Sequence, residues 1–363
     1  MGKIRELDGL RGLLAVWVVA VHLVPTAGLD AGRFGWFAPL FGEHLRVQIF
    51  CILSGFVIFV MFEKRPQPWA EFMMGRFFRL YPVYILAFLL SVLMMPVMLA
   101  ALHSAPFSGV RMSSRLQIMD GAMGQPVEHI LAHLTLLHGI IPHWLLPHAA
   151  YAFLGQAWNI STEFQFYLAA PLVFVGLATG PVWRRVLVVG LCLALWAGFR
   201  NWPNPADLAQ YAPWFALGIL SHRVWRGAHP TLAGWAVSGS ALAVFAVFSM
   251  AAGLWILVFG WLLIRRDQGR GNACLACLRW PVLQWLGRIS YPLYLLHMIP
   301  LYLGMYLING LDLSAPVYLL LLSVFTFALA LPLSWLVSEQ VERRFMSRAR
   351  PALQEPPPVP AQA

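Results

Sequence analysis

Residues 7–23 read Leu7-Asp8-Gly9-Leu10-Arg11-Gly12-Leu13-Leu14-Ala15-Val16-Trp17-Val18-Val19-Ala20-Val21-His22-Leu23. Past Arg11 the run carries no charge up to Leu29, and twenty or so apolar residues span a bilayer as a helix. A basic stretch precedes it, as in a signal peptide, but no small-x-small cleavage site follows and Asp8 and Arg11 stand at its entrance. The stretch therefore reads as a retained membrane helix. Arg11 and His22 are eleven residues apart, three turns plus about 20°, so they share one helix face. At about 1.5 Å per residue His22 lies roughly 16 Å deeper than Arg11. A cation at the cytoplasmic mouth and a titratable imidazole partway across thus form one stripe.

The rest of the chain has the same character. Of 363 residues, 60% are hydrophobic and 11% charged, and the mean hydropathy is +0.70. Globular chains carry about 25% charged residues, so a soluble domain, a disordered chain and a disulfide-stapled secreted domain are excluded. Apolar runs recur at Leu10–Leu29, Val47–Phe62, Leu80–Leu102, Ile160–Thr179, Val186–Arg200, Leu208–Trp225, Leu232–Met250, Gly253–Ile264, Ile289–Asn309 and Val317–Val337. The fold class expected is an all-α polytopic membrane protein of about ten transmembrane helices. The segment His129–Leu146 is apolar but dotted with histidine and proline, and fits an interfacial or re-entrant path.

Charge tests the count. With both termini cytoplasmic, only Arg33, Arg46, Arg111, Arg115 and Arg200 of the 25 Lys and Arg fall on the far side, as the positive-inside rule requires. Shifting the parity by one helix scatters that bias. The net charge of +10 is therefore mostly topology, and nothing points to nucleic acid. The membrane domain is expected to occupy 1–345, with a proline-rich cytoplasmic tail, 346–363, reading as disordered.

Ionisable residues inside membrane helices are expensive, so each is a functional candidate. Arg76 and Arg79 are i,i+3 at the cytoplasmic edge of the third run, followed by Pro82, which fits a first turn, and Tyr84. Two guanidinium forks at a helix N-terminus suit phosphate, and cytoplasmic orientation alone is the competing reading. Glu163 and Tyr167 are i,i+4 at the outer end of the fourth run. A carboxylate there orients an imidazole or takes a hydroxyl proton. Capping competes, with Asn159 or Ser161 as N-cap. Ser290, Tyr294 and His297 make an i, i+4, i+7 polar stripe, with Tyr291 beside it. Glu339 and Glu342 read as partners of nearby arginines. Leu53-Ser54-Gly55 lacks the first glycine of a hydrolase elbow, so Ser54 is no nucleophile and Gly55 suits close packing. Cys274-Leu-Ala-Cys277 has no second pair, and the histidines at 129, 133, 138, 143 and 148 have no zinc pattern, so no metal is assigned.

Taken in series, these positions resemble the acyltransferase-3 family of integral membrane O-acyltransferases, which modify bacterial surface glycans. The resemblance rests on Leu7-Asp8-Gly9-Leu10-Arg11-Gly12 with the Arg-x10-His pair Arg11 and His22, and on Phe50-Cys-Ile-Leu53-Ser54-Gly55-Phe56. It continues through Arg76-x-x-Arg79 with Pro82 and Tyr84, then Trp158-x-x-Ser161-x-Glu163-x-x-Phe166-Tyr167, Ser290-Tyr291-x-Leu-Tyr294-x-x-His297, and Glu339 and Glu342. Cys51 departs from a common aromatic, and Arg343-Arg344 stand where a proline often follows. The chain resembles the stand-alone form, without a periplasmic esterase-like domain.

The resemblance implies an enzyme of the bacterial cytoplasmic (inner) membrane. It would take acyl-CoA, most often acetyl-CoA, as cytoplasmic co-substrate and a carbohydrate hydroxyl on the far side as acceptor, with no permanently bound cofactor. On that reading Arg11, Arg76 and Arg79 hold the CoA phosphates, and His22 meets the thioester as general base or transient acyl carrier. Glu163 orients or relays protons, and Tyr167, Ser290, Tyr291, Tyr294 and His297 line the cavity. A secondary transporter of an anionic solute is the alternative; it predicts inverted repeats, and none is evident. A non-catalytic scaffold needs no polar stripe on three helices.

Overall fold

A computed structural model describes residues 4–29, 31–42, 44–178, 181–227, 232–237, 240, 249–268 and 273–352. Among these the chain is all helix, with no strand. Six helical stretches are long and apolar enough to cross a membrane: Arg5–Ala27, His44–Lys64, Trp69–Leu93, Gly155–Ala178, Val182–Phe199 and Ala315–Ser347. A bent pair, Pro281–Leu296 with Met298–Ile308, makes a seventh if taken as one span.

The principal helices are α1 (Arg5–Leu23), α2 (His44–Lys64), α3 (Trp69–Leu93), α4 (Met95–His103), α5 (Val110–Gly124), α6 (Pro126–Leu134) and α7 (Trp158–Ala178). They continue with α8 (Val182–Phe199), α9 (Leu208–Trp225), α10 (Met250–Gln268), α11 (Pro281–Leu296), α12 (Met298–Ile308), α13 (Ala315–Val337) and α14 (Arg343–Ala352). Two runs expected to span, α9 and α10, are helical but more polar than the seven. Gln210, Ser221, His222 and Arg223 interrupt α9, and Arg265-Arg266 close α10. The expected span Leu232–Met250 lies largely outside the described residues.

Three other expectations change. Helix α3 begins at Trp69, eleven residues before the apolar run, so Pro82 lies inside it rather than in its first turn. The run expected at Leu80–Leu102 is broken at Met94 into α3 and α4. That at Ile289–Asn309 bends by 58° at His297. Pro300 accounts for the bend: it has no N–H to give the Leu296 carbonyl four residues back, and its ring crowds that carbonyl. The segment His129–Leu146 is the short helix α6 followed by turns. Helix α14 carries the chain to Ala352, and the remaining tail, 353–363, lies outside the described residues.

Glycines set the closest helix pairs. A Cβ on Gly12 would stand 2.6 Å from the Gly287 nitrogen, and one on Gly287 would stand 2.2 Å from the Asp8 carbonyl oxygen. Helices α1 and α11 therefore pack backbone against backbone, and they run in the same direction. Gln284 donates to the Arg5 carbonyl at 2.8 Å, Gly12 meets Gly287, and the His22 and His297 rings lie 5.2 Å apart. Helices α2 and α9 approach in the same way, with Gly55 against Phe215 and Gly218 against the Ile52 carbonyl.

The segment between α4 and α7 is held by buried histidines. His133 donates from Nε2 to the Ala149 carbonyl at 3.1 Å, and its ring stacks on His138 at 4.0 Å. The Tyr84 hydroxyl donates to the His133 carbonyl at 2.8 Å. Burial drives the His133 imidazole well below its usual range and that of His138 down to about 3, so both rings are neutral stacking elements.

Candidate active site

Six helices close around one cavity, α9 through Phe215. Arg11 enters from α1, Ser54 from α2, Arg76 and Arg79 from α3, Glu163 and Tyr167 from α7, and Ser290, Tyr291 and Tyr294 from α11. The cavity measures about 70 Å³. At 10–15 Å³ per water that is room for several waters or a slender chain, not for a nucleotide.

Glu163 is its only carboxylate in the lining. Helix α7 begins at Trp158, so Glu163 sits in the second turn, past any capping position, and the capping reading falls away. Ser54 donates its hydroxyl to Glu163 Oε1 at 2.9 Å, and Tyr167 donates to the same oxygen. Ser54, set aside as a nucleophile, thus orients the carboxylate. Ser161 sits inside α7, where its Oγ accepts the Gly139 N–H at 3.0 Å and ties the segment between α4 and α7 to the helix.

The arginines are half-buried and close to one another. The Arg76 guanidinium lies 5.6 Å from the Phe72 ring centre and 5.8 Å from that of Tyr167, and its Nε has no partner among the described residues. Arg11 and Arg79 stand close enough to act on each other, and both feel Glu163 and Tyr167. Glu342, read from sequence as a partner of nearby arginines, feels Arg343 and also comes within electrostatic reach of Arg79 and Arg11. Glu339 pairs with Arg343. Glu342 closes a π-helical turn, Ser338–Glu342, where the Ser338 hydroxyl donates to it at 3.4 Å, and no pattern in the sequence announces that irregularity. Three guanidinium groups against one lining carboxylate, with Glu342 within electrostatic reach, leave the cavity net positive, a setting for an anion.

Tyrosines seal its floor. Tyr291 donates to the Leu80 carbonyl and Tyr294 to the Gln156 carbonyl, both at 2.7 Å.

His22 and His297 do not line this cavity. They lie beyond it, with His297 6.4 Å from Tyr294 between ring centres and His22 a further 5.2 Å on. His22 occupies the last turn of α1, which ends at Leu23, within the membrane-length stretch Arg5–Ala27. There Arg115 of α5 donates to His22 Nδ1 at 2.7 Å. That partner, 93 residues distant, has no sequence signal beyond being one of the few basic residues expected on the far side. A line of polar groups thus runs from Arg11 through Tyr294 and His297 to His22 and Arg115. Among the described residues no three His, Cys, Asp or Glu side chains gather as for a metal.

Residues 4–335 match the Acyl_transf_3 family, described as an acyltransferase domain. The chain is 28% identical over 323 residues to a putative membrane-bound transacylase, BcsY, of Komagataeibacter xylinus, covering 81% of this chain and 72% of that protein. It is 28% identical over 269 residues to the exopolysaccharide production protein ExoZ of Rhizobium meliloti (strain 1021), covering 69% and 74%. It is 25% identical over 339 residues to the acyltransferase MdmB of Streptomyces mycarofaciens, covering 85% and 81%. No solved structure matches it.

Proposed function

The chain belongs to the Acyl_transf_3 family of acyltransferases, and from that premise we propose that it carries an acyl group, acetyl in the first instance, from cytoplasmic acyl-CoA to a hydroxyl of an extracytoplasmic carbohydrate. The observation that carries this reading is the net-positive cavity of Arg11, Arg76, Arg79 and Glu163, joined through Tyr294 and His297 to His22 at the opposite end of α1. Acyl-CoA is polyanionic at one end and bears its thioester on a long thin arm. Arg11, Arg76 and Arg79 hold its phosphates at the cavity mouth, since the nucleotide is too bulky for about 70 Å³, and the arm threads towards His22. There the acceptor hydroxyl attacks the thioester carbon, and the thiolate leaves. Glu163, oriented by Ser54 and Tyr167, keeps the arginines in place and relays protons. A polysaccharide acceptor is supported by the name of ExoZ, an exopolysaccharide production protein. The reading includes ten crossings of the bacterial inner membrane with both termini cytoplasmic, which places Arg11 inside and Arg115 outside.

The test is reconstitution in proteoliposomes with labelled acetyl-CoA on one face and candidate glycans on the other. Label appearing as base-labile ester on the glycan, with stoichiometric free CoA, is expected. Folded protein that releases no CoA with any acceptor, or that accumulates an intact anionic solute, overturns the proposal; the latter result belongs to a transporter.

A further inference from the structure

The two histidines beyond the cavity are held in opposite tautomers, and their partners leave no choice about which. An arginine only donates. With Arg115 donating to His22 Nδ1 at 2.7 Å, that nitrogen is the acceptor of a neutral ring, so the proton of His22 is on Nε2. A carbonyl only accepts. His297 Nδ1 lies 2.8 Å from the Tyr294 carbonyl oxygen and 3.2 Å from that of Leu293, so His297 carries its proton on Nδ1. Its Nε2 is a bare lone pair. His297 has no exposed surface, and among the described residues this nitrogen has no hydrogen-bond partner. A buried acceptor left unmade costs about 1–3 kcal/mol, and such a group calls for an explanation.

We propose that His297 is the general base of the acyl transfer and that His22, positioned by Arg115, is the hydrogen-bond donor to the thioester carbonyl. This rests on the acyl-transfer reading above and divides the roles within it. The lone pair of the acceptor hydroxyl forms the new C–O bond with the acyl carbon. The carbonyl π pair moves to its oxygen, where His22 Nε2–H meets it. The hydroxyl proton passes to His297 Nε2. Collapse of the tetrahedral species breaks the C–S bond, the electron pair leaves with sulfur, and His297 returns its proton to give the free thiol. Ester and thiol are the only products, and both rings end neutral. Ring centres 5.2 Å apart and tilted by 43° suit two oxygens on one carbon, each meeting one imidazole.

His297 sits at the bend between α11 and α12, and its ring folds back on the Leu293 and Tyr294 carbonyls, which leaves Nε2 without a partner among the described residues. Arg115 is a positioning residue: it touches neither oxygen and acts by fixing the His22 proton.

Glutamine tells the roles apart, because its amide N–H donates but it has no nitrogen to take a proton. His297→Gln is expected to lower kcat about 10²-fold or more with KM for acetyl-CoA unchanged, whereas His22→Gln keeps a donor and retains at least tenfold more activity than His297→Gln. The reverse order, His22→Gln inactive and His297→Gln near wild type, overturns the proposal. Arg115→Met is a second measure that leaves both rings in place. Freed from its donor, His22 shifts towards the tautomer that removes Nε2–H, so kcat is expected to fall about tenfold. If His22 were the base, the same change would preserve or raise kcat, and that result also overturns the proposal. Wild-type protein that transfers no acyl group sinks the acyl-transfer reading instead, so the two failures are distinguishable.

Discussion

Gly12 of α1 and Gly287 of α11 touch backbone to backbone, and ten residues further along each helix His22 and His297 stand ring to ring. The glycine contact sets the register in which the two imidazoles meet, and Arg11, one residue before Gly12, faces Ser290, Tyr291 and Tyr294 across the same cavity. Gly287→Ala places a methyl group 2.2 Å from the Asp8 carbonyl oxygen, a backbone atom that moves only if the helix does. Overpacking of this kind costs about 1–3 kcal/mol. The expected outcome is a fall of several degrees in Tm in detergent together with at least tenfold lower kcat; loss of Tm with full kcat in the folded fraction would uncouple the contact from the site.

Glu163 accepts from Ser54 and Tyr167 and, among the described residues, is the only carboxylate lining a cavity that holds three arginines. Glu163→Gln keeps the shape and removes the charge, and is expected to lower kcat about 10²-fold, the scale of one acid–base group. Ser54→Ala removes a single hydrogen bond, about 0.5–1.5 kcal/mol, and is expected to cost no more than about tenfold. Steady-state release of CoA with a glycan acceptor measures both.

Arg76 lies over the rings of Phe72 and Tyr167, so lysine is not a neutral replacement for it: the stacking and the fork are both lost. Arg76→Lys is expected to raise KM for acetyl-CoA about tenfold, and Arg76→Gln further, with kcat changed less in each. Isothermal titration with desulfo-CoA, which lacks the reactive sulfur, reads the loss as binding. An unchanged Kd in Arg76→Gln would remove this residue from phosphate binding.

The stacked His133 and His138 carry a pH dependence of stability. Folded-state values below the usual 6.5 mean that the unfolded chain binds more protons between the two, so stability is complete above about pH 6.5 and falls as pH is lowered towards the folded value, about 3 for His138. The buried His138 ring is expected to cost about 2 kcal/mol between pH 6.5 and 5. His138→Phe keeps the stack and should reduce the acid-induced drop in Tm. A variant with the same drop as wild type would assign it elsewhere.

How much of this was legible in the chain differs by residue. The apolar runs and the common face of Arg11 and His22 follow from composition and from 3.6 residues per turn, because a helix buried in lipid satisfies its own backbone and needs no partner to declare itself. Arg11, Arg76, Arg79, Glu163 and Ser290 stand out because charge and polarity are costly in an apolar run, and the fold brings all five to one cavity. The bend at His297 had a local sign in Pro300, although a periodic reading runs straight through it.

Arg115 and Glu342 had no such sign. One reads as a surface arginine of an outer helix and the other as an acid among arginines. Periodicity states which residues share a face but not which helix that face meets. That is decided by how closely backbones approach, at Gly12 and Gly287 and at Gly55 and Gly218, and by where Pro300 and the turn at Ser338–Glu342 break the regular ladder. The sequence by itself determined a helical membrane chain and a short list of polar residues that must be doing something there. Only the tertiary structure decided that Glu163 answers to Ser54 and Tyr167, and that His22 and His297 hold opposite protons. Tautomers and charge pairing belong to the partners across the interface, and partners are a property of packing.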